Sequence, residues 1–203
     1  MVIAAKAWRW PNKGPAPVLV LSLACVLAGL GGLEAALAAR AGADAPPPEG
    51  RSAAWYATYG EAALLAGRAD WALAAARLET KADEGSSAAW TRRTHAATRA
   101  AGRPDREALT ALTAAVDAQP FPPAEQIVWR VAYAEAYWPA IPDPLARRIL
   151  DQIAALGAMN TAWDARIAWC AGSRVEALAA AACATTPGVE RGVWLKDGTP
   201  GAP

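Results

Sequence analysis

The chain is poor in histidine and phenylalanine, with one of each in 203 residues, against ten tryptophans. A lone imidazole, His95, excludes metal sites that need two or more, and a Ser/His/Asp triad could draw only on this residue. It lies in "TRRTHAATR", where three arginines disfavour its charged form, so the expectation is a structural or surface role. There is no Gly-rich phosphate loop, no paired-cysteine zinc spacing and no nucleophile elbow. Runs of alternating β-branched residues are also missing, which leaves an all-α fold as the one class supported. No metal, no cofactor and no catalytic residue is expected.

Acidic residues are absent before Glu34, whereas Lys6, Arg9 and Lys13 lie there. The net charge of +1 provides no concentrated basic face, which excludes a dedicated nucleic-acid binder. The basic start, residues 1–13, leads into "GPAPVLVLSLACVLAGLGGL", an uncharged stretch long enough to cross a hydrocarbon core of roughly 30 Å. Trp8 and Trp10 precede it, where aromatic rings anchor at the bilayer interface. Residues 14–38 are therefore expected to form a transmembrane anchor, with the N-terminus cytoplasmic and the bulk of the chain exported. The small-x-small triplet Ala36-Leu37-Ala38 keeps a cleaved signal peptide open, but the apolar run is longer than the usual h-region of about 7 to 15 residues.

Beyond the anchor, "ARAGADAPPPEG" (39–50) is expected to be an extended linker, since its proline triplet breaks a helix. Helical patterning then runs over 51–184, and a Pro/Gly-rich tail, 185–203, is expected to be disordered. "AGRAD" at 66–70 returns as "AGRPD" at 101–105, and the residues upstream match in the same register: Ala53-Ala54-Trp55 overlies Ala88-Ala89-Trp90. A period near 35 holding two helices around a glycine turn defines a helical-hairpin repeat, in which neither helix buries its apolar stripe alone. Gly67, Gly102 and Gly172 are expected to end first helices, and Asp70 or Asp105 to cap second helices. Helices are expected near 52–66, 70–80, 87–101, 105–118, 123–138, 143–156, 161–171 and 174–183, making four hairpins. Asp143 before Pro144 is a cap signal, and Gly157 a stop signal.

Of the three cysteines, Cys25 falls in the apolar stretch, while Cys170 and Cys183 lie in the exported part, where a disulfide is permitted. An antiparallel hairpin turning near Gly172 places Cys170 opposite a residue near 175. Cys183 is then about 12 Å too far along, and free buried thiols are expected.

The hairpin pattern resembles the tetratricopeptide repeat, carried here by "AAWYATYGEAALLAGRADWALAA" and "AAWTRRTHAATRAAGRPDREALTAL". Trp55 and Trp90 stand one position closer to the glycine than in the usual motif, and Thr94-His95 replaces a typical Leu-Gly, so the likeness is to a degenerate repeat. The order of parts is similar to small membrane-anchored helical proteins encoded with bacterial exopolysaccharide synthesis and export genes. That similarity takes in a proline-rich turn, a helix with Arg130 eight residues before Trp138, and then an Arg-containing helix. The resemblance implies a single-pass protein of a Gram-negative-type inner membrane, displaying a short solenoid into the periplasm. It further implies an accessory docking role toward an envelope protein of polysaccharide assembly or export.

One set of side chains suggests a ligand directly. Trp90 with Arg92, Arg93 and Arg99, Trp129 with Arg130, and Arg147 with Arg148 combine faces that stack on sugars with forks that grip carboxylates. An acidic glycan or acidic peptide is the ligand such a mixture suits, although helix-face arginines and repeat tryptophans also serve as solvated surface and core. A small glycan-modifying enzyme using Glu125 and Glu135 is the rival reading. Ten residues apart on one helix, those two carboxylates sit about 80° apart around its axis.

Overall fold

The structure, a computed structural model, describes residues 31–42 and 44–189. Among these residues the chain is helical and contains no strand. The described part of α1 is 31–42; then follow α2 (Ala53–Leu65), α3 (Ala69–Ala82), α4 (Ser87–Ala101), α5 (Arg106–Ala118) and α6 (Ala124–Tyr137). A 3-10 turn (Trp138–Ala140) leads to α7 (Asp143–Ala158), α8 (Trp163–Gly172) and α9 (Glu176–Ala184).

Local chemistry accounts for the boundaries. Ser52 Oγ accepts from Trp55 N at 3.1 Å, Ser86 Oγ from Ala89 N at 3.2 Å, and Asp105 Oδ1 from Ala108 N at 2.8 Å, so α2, α4 and α5 start on side-chain caps. At the end of α2, Gly67 takes φ +74° and the chain closes with Gly67 N donating to Leu64 O and Arg68 N to Ala63 O, at 3.0 and 2.7 Å. Gly102 repeats the left-handed turn at φ +70°. Asn160 does the same work after α7, with its φ of 50° and Thr161 N donating to Leu156 O at 3.0 Å.

The first two hairpins stack closely: α2 on α3, α3 on α4, α4 on α5, and α2 directly on α4. Alanine makes this possible, since the buried positions Ala72, Ala75, Ala76, Ala89, Ala96, Ala97, Ala108, Ala111 and Ala115 let backbones approach. The second half packs differently. Here α7 lies against both α6 and α9, and the core is built of larger side chains, among them Ile127, Ile149, Ile153, Leu156 and Leu178. Each such side chain contributes roughly 1.5–3 kcal/mol when fully buried, so most of the apolar driving force lies in the C-terminal half.

The segments flanking the repeats meet the expectations unevenly. Residues 1–30, which include most of the expected anchor, lie outside the described residues; among the described residues no helix is long and apolar enough to cross a membrane. The expected linker is helical at 39–42 and at 44, and is not free. Ala38 is fully buried against Trp55, Tyr56 and Tyr59, and a Cβ on Gly42 would meet Tyr59 O at 2.5 Å. Tyr56 Oη donates to Pro48 O at 2.9 Å and Tyr59 Oη to Ala45 O, pinning the proline segment onto α2. The tail is likewise docked at its start: Thr186 has no exposed surface, while 190–203 lie outside the described residues.

Asp70 sits in the first turn of α3 without a side-chain cap bond, and Asp143 is the first residue of α7 with no such bond either. Gly157 stays inside α7, where its missing side chain makes room for Thr185: a Cβ there would lie 2.5 Å from the Thr185 Cβ. Gly172 closes α8 without a left-handed φ, and Ser173 follows in extended conformation.

That extended exit explains the cysteines. Cys170 and Cys183 form a disulfide with Cα atoms 4.6 Å apart. Ser173 and Val175 are both extended, so the connection carries the chain on past α8 before α9 turns back. Seven residues of helix, about 1.5 Å each, then bring Cys183 level with Cys170. A tight turn at Gly172 is the assumption that fails.

Candidate functional site

The first helices of the first three hairpins, α2, α4 and α6, share one groove. Three neighbouring cavities, of about 130, 500 and 220 Å³, all have His95 in their walls. The first is lined by Glu61, Leu64, Glu79 and Arg92, the second by Glu61, Leu64, Leu65 and Arg99, and the third by Arg99, Trp129, Tyr133 and Tyr137. The 35-residue register is what aligns them. Leu64 and Arg99 occupy equivalent positions, as do Thr98 and Tyr133, whose hydroxyls are 2.7 Å apart. On α6 the i, i+4 and i+8 residues Trp129, Tyr133 and Tyr137 stack along one face, with ring centroids 5.2 and 5.0 Å apart.

The groove is mixed in character. Leu65 is 91% exposed, the most exposed large apolar side chain among the described residues. Arg92 is bound to the buried carboxylate of Glu79, its Nε donating at 3.1 and 3.0 Å to the two oxygens; that bond raises its pKa, and the charge of Glu61 adds to the effect. Arg99 is exposed and makes no ion pair. Burial lowers the His95 pKa, and the charge of Arg99 lowers it further, so the imidazole is neutral at pH 7.

The remaining expected contacts are distributed elsewhere. Arg93 donates to Glu107 from Nε and Nη2 at 3.0 and 2.8 Å and lies over the Trp90 ring, 5.3 Å from its centroid. Glu107 also receives Arg77, first in effect on its pKa, and the two guanidiniums hold its carboxyl at about 2. Trp90 is only half-buried, its indole N–H reaching back to Glu84 O at 2.8 Å. Trp55, by contrast, is 5% exposed and stacked on Tyr59. The two matched tryptophans are therefore unequal: one is core, the other covers a turn. Arg148 pairs with Asp117, and Arg147 is exposed on the same helix, α7. Trp138 lies in the 3-10 turn; Glu125 and Glu135 are at the start and near the end of α6, and neither lines the groove cavities.

Arg130 corrects the expectation most sharply. It has no exposed surface, and its guanidinium donates to Ala115 O at 2.7 Å, Gln119 O at 3.0 Å and Ser87 Oγ at 2.6 Å. Those carbonyls end α5, where the helix presents partial negative charge. Desolvation, with the nearby Arg148 charge, lowers its pKa to about 10, which leaves it protonated at neutral pH. Arg166, equally buried, spans Thr161 O at 3.0 Å and Thr185 O in the fourth hairpin. Both are fasteners between helix ends, beyond the reach of a ligand.

Of the seven expected contacts, the structure brings Arg92, Arg99 and Trp129 to one groove; Arg92 is bonded to Glu79, and Arg99 makes no ion pair among the described residues but shares a cavity with Glu61. The groove residues not anticipated are His95 as its centre, Leu64 and Leu65, and the Tyr133–Tyr137 stack. The 35-residue register already contained the signal for them, since positions 64 and 99 are equivalent. No family model, no curated protein and no solved structure matches the chain.

Proposed function

We propose that the chain is a docking scaffold: its helical domain binds a partner protein along the α2–α4–α6 groove, without catalysis. The observation that carries this reading is the continuity of the groove across three hairpins, with exposed Leu65 beside half-buried Leu64 at one end and a tyrosine–tryptophan stack at the other. Repeat folds use such a surface to receive a helix or an extended segment. The basic and apolar N-terminal sequence supports a single-pass inner-membrane location with the helical domain in the periplasm, where anchoring raises the partner's effective concentration. An accessory role in exopolysaccharide assembly or export rests on the order of parts alone.

A second reading, recognition of an acidic glycan, draws on one observation: Arg99 and Trp129 line the same cavity of about 220 Å³. Affinity capture from solubilised envelope separates the two. Wild-type chain should retain a specific envelope protein that Leu65→Asp loses while keeping its helical circular dichroism. Capture unaffected by that substitution, or turnover of a glycan by the purified chain, contradicts the docking proposal.

A further inference from the structure

We infer that the chain carries an anion site apart from the docking groove: a cavity between α3, α4 and α5 that holds the phosphate group of a small phosphorylated ligand on Arg77, Arg93 and Arg106. The cavity, of about 430 Å³, shares no lining residue with the three cavities of the groove, so this inference is independent of the docking proposal.

The charges in the wall do not balance. Arg77 comes from α3, Arg93 from α4 and Arg106 from the first turn of α5, and Glu107 is the one acid among the lining residues. Arg77 donates to the two Glu107 oxygens from Nε and Nη2 at 2.9 and 2.5 Å, while Arg93 donates to Oε1 alone, from Nε and Nη2 at 3.0 and 2.8 Å. One carboxylate thus serves two guanidiniums and neutralises one charge. Arg106 is exposed and makes no ion pair among the described residues. Asp105, outside the cavity, acts on Arg77, but its carboxylate accepts from Ala108 N at 2.8 Å. Counting Asp105 against the three arginines as well as Glu107 still leaves the cluster positive.

The same bonds hold the guanidiniums in place before a ligand arrives. Arg93 also donates from Nη1 to Thr80 Oγ1 at 3.1 Å and lies over the Trp90 ring, so it loses little side-chain freedom on binding. A guanidinium has five N–H donors. The bonds above use two of them on Arg77 and three on Arg93, and both retain donors for a ligand. Forks from three helices around one cavity suit the three oxygens of a phosphate monoester, which carries a charge of about −1.5 to −2 at neutral pH. A carboxylate brings two oxygens and one charge. Half-buried Trp90 and the Thr110 side chain complete the wall, with room for a ligand body of one ring. A phosphate polymer would need a run of such contacts, and the basic cluster is confined to this cavity.

The test is isothermal titration of the full-length chain, in non-ionic detergent micelles at low salt, with inorganic phosphate, glucose 1-phosphate and glucuronate. Both phosphate probes should bind saturably at one site, and glucuronate should bind about tenfold more weakly. Arg106→Ala should weaken both phosphate probes by about tenfold, as expected for one charge-assisted bond. Its side chain is exposed, so the variant should keep the wild-type melting temperature. Arg147→Ala, which removes an exposed cation of α7, should leave the affinities within about twofold of wild type, as should Leu65→Asp in the docking groove. Absence of saturable phosphate binding, glucuronate binding as tight as glucose 1-phosphate, or affinities unchanged by Arg106→Ala overturns the inference. So does an equal loss in Arg106→Ala and Arg147→Ala, which marks attraction to net charge and not a site. Binding of inorganic phosphate but not of glucose 1-phosphate overturns it too, because the cavity then admits an ion without a ligand body.

Discussion

The guanidinium of Arg130 and the hydroxyl of Ser87, 43 residues apart in sequence, meet at 2.6 Å with Arg130 fully buried. That bond fastens the third hairpin to the start of α4, while the same group caps the carbonyl end of α5 through Ala115 and Gln119. A single side chain thus ties three helices at the place where the alanine-lined stack gives way to the larger C-terminal core.

Removing it should unfold the chain readily. Arg130→Ala is expected to lower stability by about 3 kcal/mol, from the cavity and the lost bonds together. Its neighbour Trp129, half-buried and stacked on Tyr133, should lose about 1–2 kcal/mol as alanine. Urea unfolding of both variants checks the contrast. Equal losses would place Trp129 in the core and not on the groove wall.

The Cys170–Cys183 link closes a loop of 13 residues and should be worth about 3 kcal/mol. Melting with and without dithiothreitol measures it. Mass spectrometry after alkylation should find Cys170 and Cys183 labelled only in the reduced chain; labelling before reduction would restore the free thiols that a tight turn at Gly172 implies.

Glu107 supports stability in a defined pH window. Its carboxyl is held at about 2, below the ordinary 4.5, by the bonds from Arg77 and then Arg93. A depressed carboxyl pKa contributes stability above about 4.5 that is lost as pH falls through about 2. Glu107→Gln should therefore cost about 1 kcal/mol at pH 7, given solvent screening of partly exposed pairs, and nothing measurable at pH 2. Melting temperatures across that range test it.

Gly157 predicts a matched pair of variants. Gly157→Ala places a Cβ 2.5 Å from the Thr185 Cβ and should cost about 1–3 kcal/mol by overpacking. Adding Thr185→Gly should recover a large part of that loss, read as a coupling energy in urea unfolding.

Much of this architecture is legible in the sequence, because helix ends are written in local chemistry. Gly67 and Gly102 mark left-handed turns, and Asp105 caps the helix it precedes, all within reach of a few neighbouring residues. Arg130 is illegible for the opposite reason. Its main partners are carbonyl oxygens, which every residue carries, so no acidic neighbour signals a buried cation. The disulfide is hidden because a connection extended at Ser173 and Val175 shifts the register of the hairpin away from that of a tight turn. The groove was half-visible: the 35-residue period aligns Leu64 with Arg99, but a polar residue and an apolar one at equivalent positions do not look like one surface until the helices stack.

The docking face itself is tested most directly by placing a photo-crosslinking residue at single positions of the full-length chain in its host cells. Probes at Leu65 and Ala132, in the groove, should each give the same discrete protein adduct, and a probe at Thr110, in the cavity beside Arg106 and Glu107 outside it, should give none. An adduct from Thr110 with silence at Leu65 and Ala132 would contradict the account.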